Sequence, residues 1–230
     1  MSAEALLARL RGGLIVSVQA EAGSPLNDPA AIALLARVAE RNGAAGLRIE
    51  GAGRIAAVRA AVRLPIVGIV KRRHEGFAPY ITSTRGEIDE AVRAGADVVA
   101  FDATLRPRVE GDDLAALIAH LRARGAIAMA DCAEVAEAEA AAAAGAELIA
   151  TTLAGYTEAT AGRALPALDL VRAIAARHPF AICEGGVGTP DELSAAFAAG
   201  ASAVVVGTAI TNVDVLVRRF VAATPLGSAT

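Results

Sequence analysis

The strongest indication of the fold is the segment FAICEGGVGTPDELSAAFAAGASAVVVGTAI, residues 180–210. It predicts a strand, a loop, a helix, a second strand and a second loop. The strands are apolar and end in Glu184-Gly185-Gly186 and in Gly207-Thr208-Ala209. Glycine has no Cβ, so backbone N–H groups in such loops can approach a ligand closely. Two loops of this kind, after the last two parallel strands, are typical of a phosphate site in a (β/α)₈ barrel.

The same alternation of strand and helix repeats along the rest of the chain. Apolar runs predict further strands over residues 14–19, 46–49, 66–70, 97–101, 127–130 and 147–151. Their uniform apolarity indicates a sheet that is covered on both faces. A doubly wound open sheet is the alternative, but it rarely gives eight such units in this length, and no GxGxxG follows the first strand. We therefore predict an α/β fold, a single (β/α)₈ TIM barrel domain over residues 1–230 with a short N-terminal helix.

Glycine marks the helix ends. A Gly-Ala pair follows four of the predicted helices, just before the next strand, at Gly43, Gly95, Gly145 and Gly200. Glycine there provides the left-handed C-cap that turns the chain back into the sheet.

Composition excludes several classes of protein. The chain is 55% hydrophobic and only 20% charged, which allows a large core and excludes wholesale disorder. A net charge of −3 and an aromatic content of 3% argue against a nucleic-acid surface, although an anionic small ligand needs only a local cluster of donors. Two cysteines without motif spacing favour neither a disulfide framework nor a zinc site. The N-terminus predicts a capping helix and no signal peptide, so we expect a cytoplasmic protein.

Polar or small residues stand at the ends of the predicted strands. In a (β/α)₈ barrel the carboxyl ends of the strands build the active site, so we expect all of them to face one basin. Taken singly, each has a structural alternative: Asp131 as a helix cap, or Asp102 in a loop salt-bridge group with Thr104, Arg106 and Arg108. The set comprises Gln19, Arg48, Lys71, Asp102, Asp131, Thr151 or Thr152, Glu184 and Gly207.

These residue types favour proton transfer next to a carbonyl group. Lys71, if it is desolvated and close to Arg48, would have a lowered pKa and could act as a base, with Glu184 as the second acid or base. Arg48 and Asp131 would orient hydroxyl groups and stabilise an enolate oxygen. The histidines lie away from strand ends, and the cations would compete with a metal for carboxylates, so we predict a metal-free site. The thirteen-residue connection over residues 72–84 predicts a functional loop above the site.

Several segments together resemble the N-acetylmannosamine-6-phosphate 2-epimerase family. They run in family order over nearly the whole chain, and GIVKR, TTLAGYT and DATLRPR are the most specific. The matching segments are GGLIVSVQA (12–20), GLRIEG (46–51), LPIVGIVKR (64–72), YITST (80–84), AGADVVAFDATLRPR (94–108), AMADC (128–132), TTLAGYT (151–157), CEGGVGTP (183–190) and AVVVGTAIT (203–211).

The resemblance implies a function and a set of site residues. It implies cofactor-independent C2 epimerisation between N-acetyl-D-mannosamine 6-phosphate and N-acetyl-D-glucosamine 6-phosphate, in amino-sugar and sialic-acid catabolism, by a barrel that is usually a homodimer. Lys71 would remove and return the C2 proton, and Glu184 would be its acidic partner, either a second proton donor or a group that assists ring opening. The implied binding residues are Gln19, Arg48, Asp131, Thr152 and Tyr156 for the substrate and Gly185, Gly186, Gly207 and Thr208 for the phosphate.

Two positions depart from the family pattern. Gly186 and Asn212 stand where the family usually carries a basic residue. The sequence therefore leaves Arg163 or the loop over 72–74 as sources of positive charge for the phosphate. It also leaves two rival functions: a lyase that forms a Schiff base on Lys71, and a non-catalytic barrel that binds sugar phosphates. The last predicted helix, over 213–222, could pack on the barrel or on a partner.

Overall fold

The computed structural model describes residues 2–225. Its strands are all parallel, pair in sequence order and close into a barrel where the last strand pairs with the first. The predicted (β/α)₈ barrel is confirmed, with small differences in the strand ends. The strands are β1 Leu14–Val18, β2 Gly46–Glu50, β3 Ile66–Ile69, β4 Val98–Asp102, β5 Ile127–Asp131, β6 Leu148–Ala150, β7 Ala181–Glu184 and β8 Ala203–Val206.

Helices surround the barrel and connect successive strands. The four glycines predicted to end helices have φ of +89°, +104°, +95° and +101°, so the predicted left-handed caps are confirmed. The short helix directly after β8 was not predicted. The helices are α1 Ala3–Leu10, α2 Pro29–Arg41, α3 Ala52–Ala61, α4 Arg85–Arg93, α5 Leu114–Ala123, α6 Val135–Ala144, α7 Leu168–Ala175, α8 Pro190–Ala198, α9 Thr208–Thr211 and α10 Val213–Ala222, with a 3₁₀ turn over Glu158–Thr160.

The core has two layers, and α1 closes one end of the inner layer. Inward side chains such as Ile15, Ile69 and Met129 fill the barrel, while aliphatic and alanine side chains fill the space between strands and helices. Leu6 and Leu10 of α1 pack into the inner layer and are 3% and 0% exposed. Burial of each leucine contributes about 1.5–3 kcal/mol. With the amino end of the barrel closed in this way, a cavity can form at the carboxyl ends of the strands.

Among residues 2–225, no helix combines the length and the apolar character needed to cross a membrane.

Candidate active site

A cavity of about 550 Å³ opens at the carboxyl ends of the strands. Of the catalytic and binding residues implied by the family resemblance, Asp131 is the exception that does not line it. Ser17, Tyr80 and Arg219 also line it and were missed. Ser17 had a signal, because it lies two residues after inward-facing Ile15 on the same face of β1. The proposed residues that line the cavity are Gln19, Arg48, Lys71, Thr152, Tyr156, Glu184, Gly185, Gly186, Gly207 and Thr208.

Arg48, on β2, holds two carboxylates together. Its Nη1 donates to Asp131 Oδ1 at 3.1 Å and to Glu184 Oε2 at 2.9 Å, and its Nη2 donates to Asp131 Oδ2 at 2.6 Å. Arg48 is 1% exposed. Burial disfavours its charge, but Asp131 and Glu184 outweigh that effect and raise the pKa of Arg48, so it stays protonated. Its buried Nε has no hydrogen-bond partner among the described residues.

Asp131 lies behind Arg48 and does not face the cavity. It is fully buried, and both of its oxygens accept hydrogen bonds from Arg48, while Oδ1 also accepts one from Thr152 at 2.7 Å. Its carboxylate is therefore used to hold Arg48 and Thr152 in place. The alternative of a helix cap is wrong, because Glu134 is the N-cap of α6.

Glu184, at the end of β7, has an environment in which its carboxyl group can be protonated or ionised near neutral pH. Burial raises its pKa to about 7, and Asp131 acts in the same direction while Arg48 opposes it. Thr152 Oγ1 lies 3.2 Å from Glu184 Oε2 as well as 2.7 Å from Asp131 Oδ1. The single hydroxyl hydrogen of Thr152 can serve one carboxylate at a time. Near neutral pH, Glu184 can therefore both accept and donate a proton.

Lys71, two residues after the end of β3, lines the cavity, and its pKa is shifted in the direction opposite to that of Glu184. Its Nζ donates to Gln19 Oε1 at 2.7 Å, and Gln19 Nε2 donates to Ser17 Oγ at 2.7 Å. Lys71 is exposed to the cavity, but the protein around it partly desolvates its amine and lowers its pKa; the charge of Arg48 lowers that pKa further, while Glu50 and Glu184 partly offset both effects. This is the direction that the sequence predicted, and it increases the fraction of neutral amine available as a base.

The loop over residues 72–84 reaches the cavity, as predicted, through Tyr80 and Ile81. Its end is held by Glu87 of α4, a carboxylate that is 0% exposed. Glu87 accepts hydrogen bonds from the backbone N–H of Ser83 at 2.7 Å and of Thr84 at 3.3 Å, and it is also hydrogen-bonded to His74. This buried anchor fixes the loop above the site.

Asp102 corrects the prediction that every strand-end side chain faces one basin. It is fully buried, does not line the cavity, and accepts hydrogen bonds from Thr104 and from Arg106. Arg108 donates to the backbone oxygen of Asp102. The alternative of a loop salt-bridge group is thus confirmed. Thr151 is also turned away, since its hydroxyl donates to the backbone oxygen of Glu184.

The glycine loops after β7 and β8 also line the cavity. Gly185 and Gly186 have φ of +104° and +75°, which L side chains rarely adopt. A Cβ on Gly186 would lie 2.3 Å from Leu165 Cβ, so a larger residue does not fit in this backbone conformation. The residues expected to replace the missing basic residues, Arg163 and the loop over 72–74, do not line the cavity. Arg163 pairs with Asp169, and Arg72 pairs with glutamates of α4.

Within residues 2–225, no group of three or more His, Cys, Asp or Glu side chains is arranged to hold a metal ion. Cys132 and Cys183 are free thiols, and both are buried.

The fold and the cavity together define the class of protein. It is a (β/α)₈ barrel that carries a lysine and a glutamate with shifted pKa values at the carboxyl ends of its strands, next to two glycine loops. Residues 32–225 match the family model described as putative N-acetylmannosamine-6-phosphate epimerase. The chain belongs to this family.

Curated relatives and a solved structure agree with that assignment. The chain is 44% identical over 227 residues to a putative N-acetylmannosamine-6-phosphate 2-epimerase of Synechococcus elongatus, which covers 97% of this chain and 98% of the relative. A protein with the same description from an Enterobacter species is 42% identical over 219 residues, 93% of each chain. The structure of the N-acetylmannosamine-6-phosphate 2-epimerase from Clostridium perfringens superposes with a TM-score of 0.90 at 34% identity over 94% of each chain.

Proposed function

We propose that this protein interconverts N-acyl-D-mannosamine 6-phosphate and N-acyl-D-glucosamine 6-phosphate by epimerisation at C2, as a single catalytic domain without a cofactor, in amino-sugar and sialic-acid catabolism. One observation carries the proposal: Lys71 and Glu184 line the same cavity, and their pKa values are moved towards each other, that of Lys71 downwards and that of Glu184 upwards to about 7. Such pairs are typical of sites that transfer protons at neutral pH. Membership of the epimerase family supports the substrate.

Lys71 carries out the central step on the open-chain sugar. Its neutral amine takes the proton from C2, which is acidified by the neighbouring C1 carbonyl. The electron pair of the broken C–H bond forms the C1–C2 double bond, and the carbonyl oxygen becomes an enolate oxygen. The fixed positive charge of Arg48 stabilises that developing negative charge. A proton then returns to C2 on the opposite face, which inverts the configuration.

Glu184 has two possible roles, and both use its raised pKa. As a second proton donor, it delivers the proton that returns to C2. As a ring-opening group, it moves a proton between the ring oxygen and the C1 hydroxyl before Lys71 acts. Asp131 keeps Arg48 and Thr152 in place for either role.

The remaining residues bind the substrate. Gln19, Thr152 and Tyr156 offer amide and hydroxyl groups to the sugar hydroxyls and the N-acyl group. The backbone N–H groups of Gly185, Gly186, Gly207 and Thr208 receive the phosphate, because glycine allows close approach of the backbone.

Proton NMR in D₂O tests the reaction directly. With N-acetylmannosamine 6-phosphate as substrate, the protein should exchange the C2 proton for deuterium and form the gluco isomer. Lys71→Ala should abolish both the deuterium exchange at C2 and the formation of the gluco isomer, because the base is lost. Arg72→Ala is the matched control, since Arg72 is the next residue and lies outside the cavity. Binding of substrate without exchange at C2 would favour the non-catalytic alternative.

Glu184→Gln separates the two roles of Glu184. If Glu184 is the second donor, C2 exchange into the manno isomer persists while epimerisation is lost. If Glu184 opens the ring, exchange and epimerisation are lost together.

The lyase alternative is tested by borohydride, which traps a Schiff base on a lysine; we expect no trapped adduct on Lys71.

We also propose a homodimer in the cytoplasm. None of the ten residues of α10 is buried, and Val217, Phe220 and Val221 are 54%, 79% and 52% exposed. An amphipathic helix that leaves its apolar face open is expected to cover it with a partner. Analytical ultracentrifugation should give a dimer, and Phe220→Glu should shift it to the monomer.

The cytoplasm is the proposed site of action because phosphorylated sugars are charged and do not cross membranes passively, so the enzyme must be in the compartment that contains them.

A further inference from the structure

Arg219 is an unpaired cation at the glycine end of the cavity. It lines the cavity together with Gly207, Thr208 and Asn212. Its side chain makes no hydrogen bond or ion pair with any of residues 2–225. The two other cations that line the cavity are engaged, Arg48 by Asp131 and Glu184, and Lys71 by Gln19. Arg219 therefore has its full hydrogen-bonding capacity available to a ligand.

The position of Arg219 on α10 directs it towards the start of that helix. Asn212 caps α10 by accepting the N–H of Val215 at 3.1 Å, and Arg219 follows seven residues later. Seven residues are two turns, about 10 Å of helix, so both residues lie on the same face. Side chains of a helix lean towards its N-terminus. The guanidinium of Arg219 thus extends from α10 back towards Asn212 and the loop that follows β8.

The neighbouring arginine shows what a paired residue looks like here. Arg218 donates to Glu21 through both terminal nitrogens, at 3.1 and 2.5 Å, and does not line the cavity. Glu21 does line the cavity, so its negative charge is neutralised by Arg218 and does not repel an anion there. Of the two adjacent arginines, Arg218 is paired with Glu21, whereas the side chain of Arg219 is unpaired and lines the cavity with Gly207 and Thr208.

We propose that Arg219 binds the phosphate of the substrate and makes the site specific for phosphorylated over unphosphorylated sugar. A guanidinium donates two parallel hydrogen bonds to phosphate oxygens, and the backbone N–H groups of the glycine loops complete the contact. Arg219 would act on binding, because the phosphate is remote from C2 and its charge does not change during the reaction. This inference relies on the proposed function for the identity of the sugar.

The test compares Arg219→Gln, Arg219→Lys and the matched control Arg218→Gln. Titration calorimetry with inorganic phosphate measures the anion site without any turnover. We expect Arg219→Gln to weaken phosphate binding about 10- to 100-fold, the loss of one charge-assisted contact. Arg219→Lys should lose less, because it keeps the charge but not the paired geometry. Arg218→Gln leaves the charge of Glu21 unpaired beside the cavity, so it should weaken phosphate binding by a few-fold at most, clearly less than Arg219→Gln.

Kinetics with N-acetylmannosamine 6-phosphate supply the second readout. Arg219→Gln should raise KM by a similar factor with kcat nearly unchanged, the pattern of lost uniform binding. Light scattering checks that the variants keep the same oligomeric state. Equal phosphate affinity in Arg219→Gln and the unchanged protein, or an unchanged KM, overturns the role of Arg219. Absent turnover by the unchanged protein, with phosphate affinity still dependent on Arg219, would instead overturn the proposed function and leave the anion site standing.

Discussion

Two buried clusters at the same end of the barrel differ in what they do. One joins Asp131 to Arg48 and Glu184, and the other joins Asp102 to Arg106. Asp102 and Asp131 are register partners on β4 and β5, and both are fully buried. Each accepts a hydrogen bond from a threonine hydroxyl, Thr104 at 2.5 Å and Thr152 at 2.7 Å. By residue type and depth, the two aspartates are nearly equivalent.

The difference lies in where their partners come from. Asp102 is satisfied by residues two and four positions later in its own loop, so its cluster stiffens that loop. Asp131 is satisfied by Thr152, 21 residues later, and by Arg48, 83 residues earlier on β2. Its cluster therefore joins separate strands beneath the cavity and holds Arg48, which lines the cavity, in place. A strand-end carboxylate shapes an active site when its partners are distant in sequence.

The largest expected effect comes from removing the arginine of each cluster. Arg48→Met leaves Asp131 and Glu184 buried without their cation, and we expect a loss of about 3–5 kcal/mol in the free energy of unfolding together with the loss of turnover. Arg106→Met is the matched control, since Arg106 is 29% exposed and Asp102 keeps Thr104. We expect it to cost about 2–3 kcal/mol, because Asp102 is buried but keeps Thr104, and to leave turnover intact. Urea unfolding and the NMR assay measure both; equal losses would remove the distinction between the clusters.

The second prediction concerns the pH dependence of stability. The folded state raises the pKa of Glu184 from 4.5 to about 7, so between these values the folded protein binds more protons than the unfolded chain. The contribution of this group is present at low pH and is lost as the pH rises through about 7, by up to about 3 kcal/mol. Glu184→Gln should therefore show a smaller fall in the free energy of unfolding between pH 5 and pH 8. Parallel curves for the two proteins would speak against a raised pKa.

The smallest effects are expected from the two threonines. Thr104→Val removes a hydroxyl that serves both Asp102 and Arg106, at an expected cost of about 1 kcal/mol with unchanged turnover, because Asp102 keeps its ion pair with Arg106. Thr152→Val removes a hydroxyl shared by Asp131 and Glu184, and we expect a smaller loss of stability but a reduction of turnover by a few-fold. Thermal unfolding and kcat measure the pair. A crossed result, with turnover sensitive to Thr104, would assign the loop after β4 to the active site.

Much of the candidate site could be predicted because a barrel brings its strand ends together. Lys71, Glu184 and Gln19 could be found as polar residues that end apolar runs. Asp102 was assigned wrongly because it satisfies the same rule, and the rule does not show that the following loop supplies its partners. Arg219 was missed because it lies on a helix two turns after the last strand-end loop, where an arginine has no pattern that distinguishes it from a solvated residue.

The barrel, its helix caps and the two glycine loops could be predicted from short segments, since they depend on periodicity and on the conformational freedom of glycine. Which charged groups meet depends on the packing of the strands around the barrel. Arg48 reaches Asp131 and Glu184 across the barrel, and the resulting burial and mutual charge move the pKa of Glu184 to about 7. Electrostatic effects of this kind depend on distance and burial in space, and neither is encoded in the local pattern of residues.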